Sequence, residues 1–235
     1  MGVNGIVAAG DILGKLDFSK LLEVLLAVVP ALVCITLHEL SHGLVAYALG
    51  DDTAKLSGRL TLNPLKHLDP FGLLMMVVAH VGWAKPVPVD MRKFRNPRRG
   101  MALTALAGPV SNIVITCVFF FLYGFFAWPY SKGGGSAFGG YMLDMLQLTA
   151  VISIGYAVFN FIPVPPLDGS KVLYAFLGDR AYYWLMRYER YGMILLYVLV
   201  FTNALGGPLR TAISFVASRL MIFAQLGFRL SMLLF

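Results

Sequence analysis

The chain has 235 residues, of which 58% are hydrophobic and only 13% charged, with a formal net charge of +7 and a mean hydropathy of +0.75. A soluble domain of this length carries about twice that charged fraction, and no stretch is long enough for a separate soluble domain of ordinary size. The composition therefore excludes a soluble protein, and the excess of basic residues marks cytoplasmic loops of a polytopic membrane protein rather than a nucleic-acid surface.

Residues 1–19 mix glycine with small apolar residues, then Asp11, Lys15 and Asp17. No basic start or cleavage site marks a signal peptide, and no Ser/Thr marks a myristoylation site, so a short extramembrane or interfacial lead is expected. The first span is predicted over 21–49, about 43 Å of helix, kinked at Pro30 and stopped at Gly50-Asp51-Asp52. Residues 50–100 carry nine basic residues against four acidic ones, which places them in the cytoplasm. Within them, the apolar run 71–81 is too short to span and fits a re-entrant or interfacial segment.

G-W-A-K-P-V-P-V-D follows at 82–90. Pro86 and Pro88 put their missing donors on one edge of a strand, so Lys85, Val87 and Val89 would keep the other edge for an unwound substrate. The same residues could equally form an irregular Pro-rich loop. A second span is predicted over 101–128, opening with the small residues A-G-P-V-S-N, and a glycine-rich outside loop over 129–140. The chain returns over 141–162, has a basic, aromatic cytoplasmic stretch at 171–190, and ends with a shorter span at 191–205. The last apolar segment, 208–235, carries Arg219 and Arg229 and is either a packed span or an interfacial helix. The expected fold is all-α, with about five to six transmembrane helices, a re-entrant segment and a short edge strand or hairpin near the active site. The whole of 1–235 forms one domain, with a core at about 20–170.

The chemistry concentrates at T-L-H-E-L-S-H, residues 36–42. Residues four apart share a helix face, so His38 and His42 can reach one metal ion. Glu39 is offset around the helix, where it can hold and deprotonate a water at that metal without being a ligand. Ionisable groups inside an apolar span are costly and usually functional. Cys34 shares their face but lies about 12 Å of helix rise from His42, too far for one ion. Asp144 falls across the membrane, Asp179 and Glu189 lie in a solvated loop, and His67 and His80 each stand alone. Asp168 follows directly on a span that ends at the depth of His42. Pro163, Pro165 and Pro166 prevent regular helix before it, and the freed backbone can wrap toward the metal. As an alternative to the third ligand, Asp168 is a helix-capping carboxylate.

These residues resemble the site-2 protease family of intramembrane zinc metalloproteases. H-E-L-S-H at 38–42 matches the family's H-E-x-x-H, and 160–169 matches its N-x-x-P-x-P-x-L-D-G. G-W-A-K-P-V-P-V and A-G-P-V-S-N resemble the compact prokaryotic branch, and together these motifs cover about 20–170. The resemblance implies His38, His42 and Asp168 as ligands of one catalytic Zn2+, Glu39 as general base, and Asn160 as a residue that positions the substrate backbone. It also favours the strand reading for Lys85, Val87 and Val89. The substrate would be a transmembrane protein or peptide in the lipid bilayer, cut from the cytoplasmic side of a prokaryotic cytoplasmic membrane, with no nucleic-acid partner. The chain lacks the PDZ insertion and the cystathionine-synthase-like domain of other members. Two further classes fit less of the sequence. A silent zinc-binding scaffold would have lost Glu39, and a transporter would more often show two related halves.

Overall fold

The computed structural model describes residues 18–70, 72, 84–177 and 191–235. Helix α1 (Phe18–Ala48) runs on through Pro30 and is followed by the single turn α2 (Thr53–Leu56). Then come α3 (Pro97–Pro129), α4 (Ala137–Asn160), α5 (Asp168–Ala175), the short α6 (Tyr191–Phe201) and α7 (Gly206–Leu234). Local chemistry sets several of these limits. Gly50 takes a left-handed φ of +103° after α1, and the Asp51 N–H bonds back to the Ala46 carbonyl, which satisfies the helix end as glycine commonly does. Pro97 opens α3 with Asn96 capping the Arg99 N–H, the position where a missing N–H costs nothing. Ser136 caps α4 through the Gly139 N–H.

Among the described residues, four helices are long and apolar enough to cross a membrane: Leu26–Ala48 within α1, Pro97–Gly133, Ala137–Asn160 and Gly206–Leu234. The last segment thus has the length and composition of a span. A fifth span was expected at 191–205, but its described helix, Tyr191–Phe201, is shorter than a bilayer requires. The expected re-entrant segment at 71–81 lies outside the described residues, apart from Gly72. The expected edge strand is a correction. Among the described residues there is no strand, only one isolated antiparallel bridge between Leu68 and Ala84, and 85–90 is irregular. The two prolines remove donors from one edge. On the other, the Lys85 N–H goes to the His67 carbonyl and the Val87 N–H to the Glu39 carboxylate, so no ladder propagates.

Helix α3 is the hub: it packs against α1, α4, α5 and α7. Phe120 of α3, Ala150 and Ile154 of α4 and Ala224 of α7 form a buried apolar cluster. Polar side chains tie the helices as well. Ser153 of α4 donates to the Asn112 carbonyl of α3 at 2.8 Å, Thr116 donates to the same carbonyl and to that of Ala150, and the Cys34 thiol of α1 donates to the Thr149 carbonyl. Lipid offers no hydrophobic drive between helices, so close packing and such bonds hold the bundle.

Close packing is tightest where α7 crosses α3. A Cβ placed on Gly124 would overlap the Ala224 carbonyl. Gly124→Val should therefore cost about 1–3 kcal/mol of stability, as overpacking does, read as a lowered Tm in detergent; an unchanged Tm would mean that α7 is not held there.

Candidate metal centre

The centre is assembled where α1, α3 and the start of α5 meet. The four-residue spacing on α1 puts His38 Nε2 and His42 Nε2 3.0 Å apart. Asp168, the first residue of α5, brings Oδ2 to 3.1 Å from His38 Nε2 and 3.2 Å from His42 Nε2. All three side chains are buried. The span α4 ends at Asn160, and the turns of 161–167, which contain a cis Pro165–Pro166 peptide, carry the chain round to Asp168. Among the described residues this is the one group of three or more His, Cys, Asp or Glu side chains placed to hold a metal ion.

The donor set fits zinc. Ligand atoms about 2.0–2.1 Å from a tetrahedral ion stand about 3.3 Å from one another, close to the separations found here. His42 Nδ1 lies 2.7 Å from the Thr104 carbonyl. That carbonyl only accepts, so Nδ1 carries the proton and Nε2 presents a lone pair to the Asp168 oxygen. Two lone-pair atoms held this close repel unless a cation lies between them. On the other imidazole, His38 Nδ1 lies 3.2 Å from the Asn112 side-chain amide nitrogen, while Asn112 Oδ1 is buried without a partner. Turning that amide over supplies the acceptor that a metal-binding His38 needs, and shape alone does not distinguish the two orientations.

Glu39, half-buried, sits one residue past His38, and its Oε2 accepts the Val87 N–H at 3.0 Å. This engages one carboxylate oxygen and leaves Oε1 for a water or a substrate. Asn160 is at the end of α4, its amide nitrogen bonded to the Tyr156 carbonyl of its own helix. Lys85 is exposed, Val87 buried and Val89 half-buried. Of the residues considered as ligands, His67 is fully buried with Nε2 on the Thr61 carbonyl, and His80, Asp179 and Glu189 lie outside the described residues.

Sequence reasoning missed the face of α3 that supports the imidazoles. Thr104, Gly108 and Asn112 are four apart and line up on the centre. A Cβ on Gly108 would come within 2.5 Å of His38 Cε1 and His42 Nε2. The available signal was a stripe of small and polar residues at helical spacing in an otherwise apolar span. In the sequence its A-G-P-V-S-N part signals close helix contact and resembles the compact prokaryotic branch, without pointing to the imidazoles.

An H-E-x-x-H helix and a distant carboxylate that converge inside a bundle of membrane-length helices have the makings of a membrane metallopeptidase. Comparison with known proteins agrees. The family described as Peptidase family M50 matches residues 129–205. "Putative zinc metalloprotease YwhC" of Bacillus subtilis (strain 168) is 40% identical over 179 residues, covering 76% of this chain and 81% of that protein. "Putative zinc metalloprotease Rip2" of Mycolicibacterium smegmatis is 31% identical over 182 residues, 74% of this chain and 66% of that protein. Its namesake in Mycobacterium tuberculosis (strain H37Rv) is 30% identical over 184 residues, again 66% of its length. No solved structure matches the chain. The chain belongs to peptidase family M50, the site-2 protease family of zinc metalloproteases, and is an integral membrane protein.

Two substitutions check the support from α3. Gly108→Ala should displace the imidazoles and abolish stoichiometric zinc in the purified protein, and Asn112→Ala should weaken zinc binding about 10–100-fold. Both are read by competition with a chromogenic chelator; wild-type affinity in both would detach this face of α3 from the metal.

Proposed function

We propose that the protein is an intramembrane protease. In this reading residues 1–235 form one peptidase domain that hydrolyses bonds in or near transmembrane segments of other membrane proteins, as in regulated intramembrane proteolysis. The observation that carries the proposal is the buried convergence of His38, His42 and Asp168 beside Glu39, in a bundle whose helices have membrane length. The basic excess of residues 50–100, which adjoin the end of α1 nearest the histidines, supports a site toward the cytoplasmic face of a prokaryotic cytoplasmic membrane.

His38, His42 and Asp168 would hold the ion, which would supply Lewis acidity toward the scissile carbonyl and a water that is nucleophilic near neutral pH. Glu39 orients that water, takes its proton on the free oxygen and returns it to the leaving amine. The Val87 amide holds the other oxygen in place meanwhile. A helical substrate hides its carbonyls in hydrogen bonds and must unwind before attack. Asn160 and the backbone of Lys85, Val87 and Val89 are the groups we assign to receiving the unwound segment. Since the Lys85 and Val87 amides are already engaged, pairing there exchanges bonds rather than filling an open edge.

The test is co-expression of a tagged single-span membrane protein with wild-type chain or with Glu39→Gln. Glutamine keeps the shape and loses the base, so zinc should remain while cleavage falls by about 10²–10⁴-fold. Equal fragments from both would remove Glu39 from the chemistry. No fragment from either, across a panel of spans, would favour a silent zinc-binding scaffold. In detergent, chelation should stop wild-type cleavage and added zinc should restore it; cleavage that persists in chelator would sink the metal-dependent reading.

A further inference from the structure

Glu39 is held by the Val87 backbone amide, and the segment that presents this amide is held in turn by Arg59 and Asp51. Val87 lies between Pro86 and Pro88, in a stretch with no strand partner to fix it. Its neighbours are tied at both ends. Upstream, the Arg59 guanidinium donates through Nη2 to the Lys85 carbonyl in a short contact and to the Pro86 carbonyl at 3.4 Å. Downstream, the Asp90 N–H donates to Asp51 Oδ2 at 2.7 Å. Arg59 is 6% exposed and Asp51 0%, and both follow the end of α1 in the chain.

Both anchors are themselves fixed. Asp51 Oδ1 accepts the Thr53 N–H and hydroxyl, and the Arg59 N–H bonds back to the Ala54 carbonyl at the end of α2. None of the ion pairs among the described residues involves Arg59. A buried guanidinium without a carboxylate is costly, and what it obtains here is two carbonyls of the very segment that presents Val87. Those carbonyls immediately precede the Val87 N–H, that of Pro86 within the same peptide unit, so their position sets where the N–H points. Deleting the guanidinium leaves the Lys85–Pro86 backbone free to turn, and with it goes the Val87 N–H that donates to Glu39.

We propose that Arg59 is a positioning residue for the general base: by holding the Lys85 and Pro86 carbonyls it sets the Val87 N–H on Glu39 and so fixes the direction in which Glu39 faces its water. The inference rests on the reading of Glu39 as general base, and it concerns a residue that touches neither metal nor substrate. Asp51 holds the far end of the same segment and acts as the second anchor.

The sequence offers a clean readout. Pro86 and Pro88 have no amide, so the Val87 N–H is the one exchangeable backbone proton between Lys85 and Val89. Hydrogen exchange of the full-length, zinc-loaded protein in detergent, localised by electron-transfer fragmentation, reports it directly. In Arg59→Ala, Val87 exchange should rise at least about tenfold while the Asp90 amide, held by Asp51, keeps its wild-type rate. Glu39→Ala should raise Val87 exchange by a similar factor, and the double variant should add little, as expected of residues acting through one contact. Unchanged Val87 exchange in Arg59→Ala would overturn the proposal. So would a general rise that includes Asp90, because it would make Arg59 a stabiliser of the whole loop.

With a cleaved substrate in hand, Arg59→Ala should lower kcat about tenfold or more with KM and zinc content unchanged, and Arg59→Lys should recover part of the loss. A rise in KM at constant kcat would assign Arg59 to substrate binding and overturn its role toward Glu39. If Arg59→Ala does not fold, Arg59→Lys is read by the same exchange measurement, since the shorter lysine side chain does not carry its ammonium to the place where Nη2 meets both carbonyls. If no substrate is cleaved by wild type, the protease reading fails, while the exchange data still decide whether Arg59 holds the Glu39–Val87 contact.

Discussion

Three electron-rich atoms, two imidazole nitrogens and one carboxylate oxygen, stand 3.0–3.2 Å apart in a buried place. The Thr104 carbonyl accepts a hydrogen bond from His42 Nδ1 and so aims Nε2 at Asp168. Positive charge among the three atoms, from a metal ion or a proton, relieves their repulsion, and in a low-dielectric surrounding the need is sharper than in water. Much of the described structure serves this one constraint. Helix α1 carries two ligands one turn apart, α3 lines their back, and the proline-bound turns after α4 deliver the third.

The helix that contributes no ligand does most to shape the centre. Residues 104, 108 and 112 of α3 provide an acceptor for one histidine, room for both, and an amide for the other. The same helix receives α4 through the Ser153–Asn112 bond and α7 through Gly124. Metal geometry and bundle packing therefore share one element, so a change in how α4 or α7 seats on α3 is transmitted to the imidazoles.

Polar backbone outside helices is tolerated near a membrane only when protein or water satisfies it. The 85–90 stretch meets that demand with side chains rather than with a sheet: Glu39, Arg59 and Asp51 each take part in its hydrogen bonds. Two carboxylates and a guanidinium do the work of neighbouring strands. This couples the end of α1 to the loop that follows it, and it gives Glu39 a fixed partner.

Runs of about 20 apolar residues already place the chain in a membrane, because they admit few other fates. The same runs single out His38, Glu39 and His42, since ionisable groups there are costly and survive where they serve. The spacing of His38 and His42, the stop at Gly50 and the break before Asp168 are local properties of backbone and side chain, and they were legible for that reason. Tertiary structure alone decided that Asp168 meets the histidines across 126 and 130 positions of chain, counted from residues 42 and 38. It decided that Thr104, Gly108 and Asn112 face them, and that P-V-P-V becomes an irregular segment held by Glu39 and Arg59 instead of a strand. These are pairings between distant segments, and in an edge without a sheet the choice of partner depends on which donors and acceptors packing brings near. No local propensity encodes that choice, since Val87 has the same β preference whether its N–H meets a strand or a carboxylate.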